Sequence, residues 1–166
     1  QGKVRYIGCS NFTAWQVCES IWVSKSLNLT PFISVQPEYS LLNRSIEHEL
    51  VPFCHTYNIG ILPYFPLASG FLTGKYRQGE PVPEGTRLAS NVRAQERTLT
   101  DKNFATLTRL ENFAEERGHP IVDLAIAWLL GNSSVSSVIA GATRPEQVIA
   151  NAKAADWRLT AEDMEE

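Results

Sequence analysis

Apolar residues recur in two rhythms along the chain. Short runs rich in β-branched and aromatic residues alternate with stretches in which apolar positions return every three or four residues. Val4-Arg5-Tyr6-Ile7-Gly8 reads as a strand closed by glycine. Thr13 then offers a helix N-cap, and Val17, Cys18, Ile21 and Trp22 follow at helical spacing to about Leu27. Phe32-Ile33-Ser34-Val35 reads as a second strand. Ser45 caps an expected helix with Ile46, Leu50, Phe53 and Cys54 on one side, broken at Asn58 and Gly60. Ile59 to Phe65 is a third strand, apolar enough to be buried on both faces.

Residues 74–99 change the pattern. Gly74, Gly79, Pro81, Pro83 and Gly85 interrupt them, apolar periodicity is lost, and a long functional loop is the expectation. Beyond it, Thr98-Leu99-Thr100-Asp101 has capping-box spacing, with Phe104, Leu107, Leu110 and Phe113 at helical intervals up to Gly118. Ile121 to Leu130 is a strongly apolar helix stopped by Gly131, and Ser137 to Gly141 a fourth strand. Thr143-Arg144-Pro145-Glu146 opens a helix through Ile149 and Ala152, and Thr160-Ala161-Glu162-Asp163 opens the last one. The alternation predicts an α/β fold with parallel strands and right-handed crossovers. Ligands in such folds sit at the carboxyl ends of strands.

The residues just after each strand are therefore the candidates. Ser10, Asn11 and Gln36 carry hydroxyl and amide groups suited to a carboxamide. Tyr64 offers a flat ring for stacking. At the fourth strand end, Gly141 permits close backbone approach and Thr143 is the expected cap of a helix whose free N–H groups favour an anion. Arg144 adds a planar fork suited to phosphate; the alternative is an ordinary capped helix with a solvent-facing arginine. The loop 74–99 holds Lys75, Arg77, Arg87, Arg93 and Arg97 against Glu80, Glu84 and Glu96, a local charge of +2 that suits folding over a pyrophosphate or simply a solvated loop.

Composition narrows the picture. The 166 residues are 43% hydrophobic and 20% charged, which supports a packed core. A net charge of -3 argues against a nucleic-acid surface. No apolar run approaches a bilayer-spanning length, so no membrane role is expected. Cys9, Cys18 and Cys54 form no CxxC pair, which makes a disulfide framework or metal site unexpected and a cytoplasmic location the expectation. The stretch opens on Gln1 without a leader of secretory type and reaches a strand almost at once, as a piece of a larger protein would.

Four runs carry a resemblance: Gly8-Cys9-Ser10-Asn11-Phe12, Gln36-Pro37-Glu38-Tyr39-Ser40, Pro66 to Tyr76, and Gly141-Ala142-Thr143-Arg144-Pro145-Glu146-Gln147. In order and spacing they resemble the aldo-keto reductase superfamily, above all the branch with bacterial reductases and potassium-channel β subunits. The resemblance covers essentially the whole chain and implies a parallel (β/α)8 TIM barrel that binds NADP in an extended pose. This chain would supply about the last four βα units, residues 1–166 forming the C-terminal half with 74–99 as a cofactor-covering loop. A complete barrel takes about 250 residues, or roughly 31 per unit, so 166 residues hold about five units' worth: four strand ends plus the long loop and an extra helix.

Carried over by position, Ser10, Asn11 and Gln36 resemble the residues that hold the nicotinamide carboxamide, and Tyr64 the ring that stacks on it. Phe65, Pro66, Leu67, Ala68, Ser69, Lys75 and Arg87 fall along the pyrophosphate. Gly141, Thr143, Arg144, Gln147 and Asn151 match the 2′-phosphate and adenine pocket, and Arg144 favours NADP over NAD. Phe65 stands where the family often has Ser, and Ala150 where an acidic residue often precedes the Asn.

The family's catalytic Asp, Tyr, Lys and His belong to the first four strands, so the resemblance places none of them here. His48, His55, His119, Tyr6 and Tyr57 lie away from the strand ends or lack a lysine partner. The expected function is the cofactor-holding half of an enzyme that reduces aldehydes or ketones, inactive alone. The alternative is an NADP-binding regulatory module without significant turnover. The expected partners are a small carbonyl substrate and either the N-terminal half of the barrel or a second copy of the chain.

Overall fold

The computed structural model describes residues 2–166; Gln1, on which the chain opens, lies outside the described residues. Three parallel strands, β1 (Ile7–Ser10), β2 (Phe32–Gln36) and β3 (Gly60–Ile61), form a sheet in chain order. Helix α1 (Ala14–Ser26) crosses from β1 to β2, and α2 (Leu50–Tyr57) leads into β3. A kinked 3₁₀ segment (Ala68–Thr73) and α3 (Val92–Thr98) follow. Next come α4 (Asp101–Glu116), α5 (Ile121–Gly131), α6 (Pro145–Ala154) and α7 (Ala161–Glu165).

Several expectations shift. The first strand is Ile7–Ser10 rather than Val4–Gly8, because pairing with β2 begins only at Ile7, and Val4 and Tyr6 stay 69% exposed. The third strand is shorter than Ile59–Phe65. Leu62 N–H donates to Val35 and Tyr64 N–H to Pro37, but Pro37 and Pro63 bring no N–H, so the ladder thins to isolated bridges. The fourth strand is likewise reduced to parallel bridges, Ile61 with Val135 and Tyr64 with Ile139. These bridges still place segment 135–139 beside β3, so the parallel order continues across four segments.

Helix boundaries move for equally local reasons. The helix expected from Ser45 splits into a 3₁₀ turn (Ser45–His48) and α2. Pro52 has no N–H for the His48 carbonyl, and its ring crowds that carbonyl, so a continuous helix is excluded there. The breaker-rich segment 74–99 is not all loop: Asn91 accepts from Ala94 N–H at 3.0 Å and caps α3. Thr100, not Thr98, caps α4 by accepting from Asn103 N–H. Arg144, not Thr143, is the N-cap of α6. Trp22 faces outward on α1, away from the buried Ala14, Val17 and Ile21.

Two apolar clusters hold the structure. The first lies between the sheet and α1, α2 and α5, with Val17, Val35, Cys54, Ile61 and Leu129 fully enclosed. The second gathers Phe71, Leu72, Tyr76, Leu88, Leu107 and Ile121. Tyr76 and Leu88 belong to the long segment after β3, so that segment is nailed to the body at two points. Helix α5 gives Trp128 and Leu129 to one cluster and Ile121 and Ala125 to the other, which is why its sequence is apolar on every side.

Candidate functional site

The strand ends meet at one side of the sheet. The Ser10 hydroxyl donates to the Gln36 carbonyl at 2.9 Å, and Asn11 N–H donates to the same oxygen at 3.1 Å. These bonds lock the ends of β1 and β2 together. Asn11 adopts a left-handed backbone (φ 58), which asparagine tolerates, and its Oδ1 accepts from the Tyr64 hydroxyl at 2.9 Å. The carboxamide candidates Ser10, Asn11 and Gln36 are thus neighbours of the stacking candidate Tyr64.

After Tyr64 the backbone turns sharply. Phe65, Ala68 and Ser69 all have positive φ (55, 46 and 59), followed by Gly70 at 87. With Asn11, four of the six positive-φ non-glycine residues among the described residues lie at the strand ends. Such strain persists where surrounding structure over-determines it, as at binding sites. Here Phe71 and Leu72 are fully buried immediately behind the turn and hold it in place.

The turn forms one wall of a cavity of about 400 Å³, within the range for small-molecule sites. Tyr64, Phe65, Pro66, Leu67, Ser69, Lys75, Arg87, Gly141, Thr143 and Gln147 all line it. Lys75 and Arg87 are its two cations, and no carboxylate lines it. A Cβ on Gly141 would stand 3.3 Å from Arg87 Nη2, and one on Gly70 would stand 2.7 Å from Lys75 Nζ. Bare backbone at both positions leaves the cations room to reach across. The group that fits this wall is an extended anion approached by backbone, two cations and an aromatic edge.

Six candidates do not line that cavity. Ser10, Asn11 and Gln36 sit at the neighbouring strand ends, with Asn11 lining a separate hollow of about 280 Å³. Ala68 serves the turn. Arg144 is exposed at the start of α6, and Asn151 lines a hollow of about 200 Å³ between α5 and α6 that shares Ala142 with the main cavity. Gln147 has a structural task as well: its Oε1 accepts from Thr143 N–H at 2.7 Å and Arg144 N–H at 3.2 Å. Gly70, Thr73, Ile139 and Ala142 line the cavity without having been singled out. Gly70, Thr73 and Ala142 lie inside the runs that carried the family resemblance, which was the available signal.

Among the described residues no histidine, cysteine or carboxylate lines the cavity; its titratable groups are the Tyr64 phenol, bonded to Asn11, and the cations Lys75 and Arg87. His48 and His55 are exposed on their helices, and His119 stacks on Trp157 at 3.9 Å and pairs with Asp123. Tyr39, just after β2, is buried and donates to Glu47 Oε1 at 2.8 Å, and Glu47 is gripped at both oxygens by Arg44. Burial above all, then the bond to Glu47, raises the Tyr39 pKa well above its ordinary value, so this phenol holds its proton. No group of three His, Cys, Asp or Glu among the described residues can hold a metal ion. No helix among them is long and apolar enough to cross a membrane.

A sequence model of the aldo/keto reductase family matches residues 1–166. The chain belongs to that family. The family is an oxidoreductase class built on a (β/α)8 barrel, and the parallel α/β sheet seen here is consistent with part of one. Among relatives, the chain is 40% identical to a protein of Oryza sativa subsp. japonica named as a probable voltage-gated potassium channel subunit beta; the match covers 93% of this chain and 48% of that protein. A protein of Arabidopsis thaliana with the same name is 38% identical over 94% of this chain and 48% of its own length. An L-glyceraldehyde 3-phosphate reductase of Escherichia coli O157:H7 is 33% identical over 92% of this chain and 45% of its own length. The chain spans about half the length of the curated relatives it matches.

Proposed function

We propose that residues 1–166 are the cofactor-holding half of a (β/α)8 oxidoreductase that reduces aldehydes or ketones with NADPH. One observation carries the proposal: a cavity at the strand ends with two cations, bare backbone at Gly70 and Gly141, and no carboxylate. In this reading the chain supplies the last four βα units and segment 74–99 covers the cofactor. The cofactor, when bound, supplies hydride. Tyr64 presents its ring to the nicotinamide, and Asn11 fixes the orientation of that ring through its hydroxyl. Ser10, Asn11 and Gln36 face the carboxamide side, with the first two tied to the β2 end. Lys75 and Arg87 neutralise the pyrophosphate; Thr143, Arg144, Gln147 and Asn151 serve the adenosine end.

The Tyr64 hydroxyl is engaged by Asn11 and Lys75 is given to the pyrophosphate, so proton transfer to the carbonyl oxygen is assigned to residues outside this chain. The complementary N-terminal half, or less simply a second copy, provides them, and the whole works in the cytoplasm. Titration of the natural protein that carries these residues, followed by quenching of its tryptophan fluorescence, tests the proposal. NADPH is expected to bind well below millimolar and more tightly than NADH. Absence of binding, or equal affinity for the two, overturns it.

A second reading is a regulatory module that holds NADP with little turnover. It is favoured by the plant relatives, which share 40% and 38% identity with this chain against 33% for the reductase. Turnover of a simple aldehyde by NADPH-loaded protein separates the two: steady oxidation of NADPH supports the enzyme, and binding without turnover supports the module.

A further inference from the structure

Phe65 is an unusual residue for its place. It is aromatic, its backbone is left-handed (φ 55), and the residue is 41% exposed. A bulky residue in that region costs on the order of 1–3 kcal/mol, and an exposed ring recovers little of it by burial. The ring has two partners. Tyr64 packs against it at a centroid distance of 5.1 Å in an edge-to-face arrangement. The Arg87 guanidinium lies over it at 5.6 Å, within the range of a cation–π contact.

Arg87 reaches Phe65 from a fixed base. Its neighbour Leu88 is fully buried in the second cluster, so the backbone there is anchored and the side chain alone is free to move. Among the described residues Arg87 forms no ion pair, unlike Arg44, Arg77 and Arg117. Its far end stops where a Cβ on Gly141 would be 3.3 Å away. Arg87 thus spans the cavity from the Phe65 wall to the Gly141 wall, held at one side by a ring and given passage at the other by a missing side chain. An aromatic partner fixes a cation without neutralising it, whereas a carboxylate would cancel the charge the cavity needs.

We infer that Phe65 is a positioning residue: its ring holds the Arg87 guanidinium across the cavity, and it thereby strengthens the grip on an anionic ligand that it need not touch. This rests on the cofactor reading for the identity of the anion, but not for the hold of Phe65 on Arg87. An exposed cation–π contact is worth a factor of about three to five in affinity.

Two measurements on the natural protein test the inference. In ligand-free protein, phenylglyoxal modification of Arg87, followed by mass spectrometry against Arg93 as internal reference, reads the hold directly. Phe65→Leu is expected to speed modification of Arg87 about three- to fivefold, and Phe65→Tyr to leave it unchanged. In NADPH titrations, Phe65→Leu is expected to weaken binding by the same factor and Phe65→Tyr by less than about twofold. Arg87→Met weakens binding at least as much, and adding Phe65→Leu to Arg87→Met is expected to cost nothing more. Unchanged Arg87 reactivity in Phe65→Leu overturns the inference, as does a full additive loss in the double variant. If the wild-type protein fails to bind NADPH, the cofactor reading falls while the modification rates still decide the role of Phe65.

Discussion

At the scale of single residues, the turn after β3 sets local preference against the site's needs. Ala68 (φ 46) occupies a backbone region that costs an L-residue roughly 1–2 kcal/mol, while glycine there loses only its larger unfolded-state entropy. Ala68→Gly is therefore expected to be neutral or to stabilise by up to about 1 kcal/mol. Ala105→Gly, on the exposed side of α4, is expected to cost about 1 kcal/mol. Urea unfolding midpoints compare the two; equal destabilisation would show that the turn is not strained. The thiols supply a second contrast. Burial pushes the Cys54 pKa up to about 12, and Cys54 is enclosed on all sides. The buried Cys54 thiol therefore keeps its proton at pH 8 and is out of reach, so iodoacetamide should label the partly exposed Cys18 long before it. Comparable labelling of both in the folded protein would contradict this placement. Residue identity made Tyr64, Lys75 and Arg87 legible from sequence, because ring and charge are properties of the residue alone. The strain at Ala68 and Ser69 was not, since neither residue type signals a left-handed backbone.

At the scale of elements, capping is legible in the sequence where a side chain closes its own turn. Thr160 accepts from Asp163 N–H at 3.1 Å, and Asp163 Oδ2 accepts from Thr160 N–H at 2.9 Å, as the spacing of that pair implies. The α6 cap lies at Arg144, one residue after the expected Thr143, and Gln147 reaches back past it to accept from Thr143 N–H. Prolines shift more boundaries: Pro37, Pro52 and Pro63 each remove a donor from an otherwise regular pattern, and hydrophobic periodicity does not register a missing N–H. The α7 cap also carries a pH dependence. The backbone bond from Thr160 lowers the Asp163 pKa below its ordinary value of 3.8, helped by the Thr160 hydroxyl and by Arg117 Nε at 2.8 Å. A lowered pKa means that the folded state favours the carboxylate, so the cap is complete above 3.8 and is lost as pH falls through the lowered value. An NMR titration of the Asp163 carboxyl carbon is expected to show a midpoint below 3.8, with α7 amides losing exchange protection over the same window. A midpoint at or above 3.8 would remove the cap from the account.

At the scale of the whole molecule, the surfaces are not those of a closed domain. Among the described residues strand β1 pairs with β2 alone, which leaves its other edge open. Tyr6, Ile7 and Ile33 are exposed along that side of the sheet, and Trp15 and Trp22, seven residues apart on α1, are exposed together on one helix face. Ile139, Val148 and Ile149 are exposed at the opposite end, on the last bridged segment and α6. Periodicity in the sequence reports that a face is apolar and not what covers it. Under the proposed half-barrel reading, strands and helices outside residues 1–166 would cover both ends; the curated relatives are about twice as long as this chain. These eight side chains are about half exposed, so covering them is worth on the order of 6–12 kcal/mol, comparable to the stability of a whole single domain. Residues 1–166 prepared alone are therefore expected to self-associate and to bind the dye ANS, as sizing with light scattering and dye fluorescence would report. Ile33→Lys with Trp22→Lys, which charge the β1–β2 side and the α1 face, should reduce both signals. A monodisperse, dye-silent monomer of the unaltered chain would mean that these faces need no cover, and the half-barrel reading would fall with it.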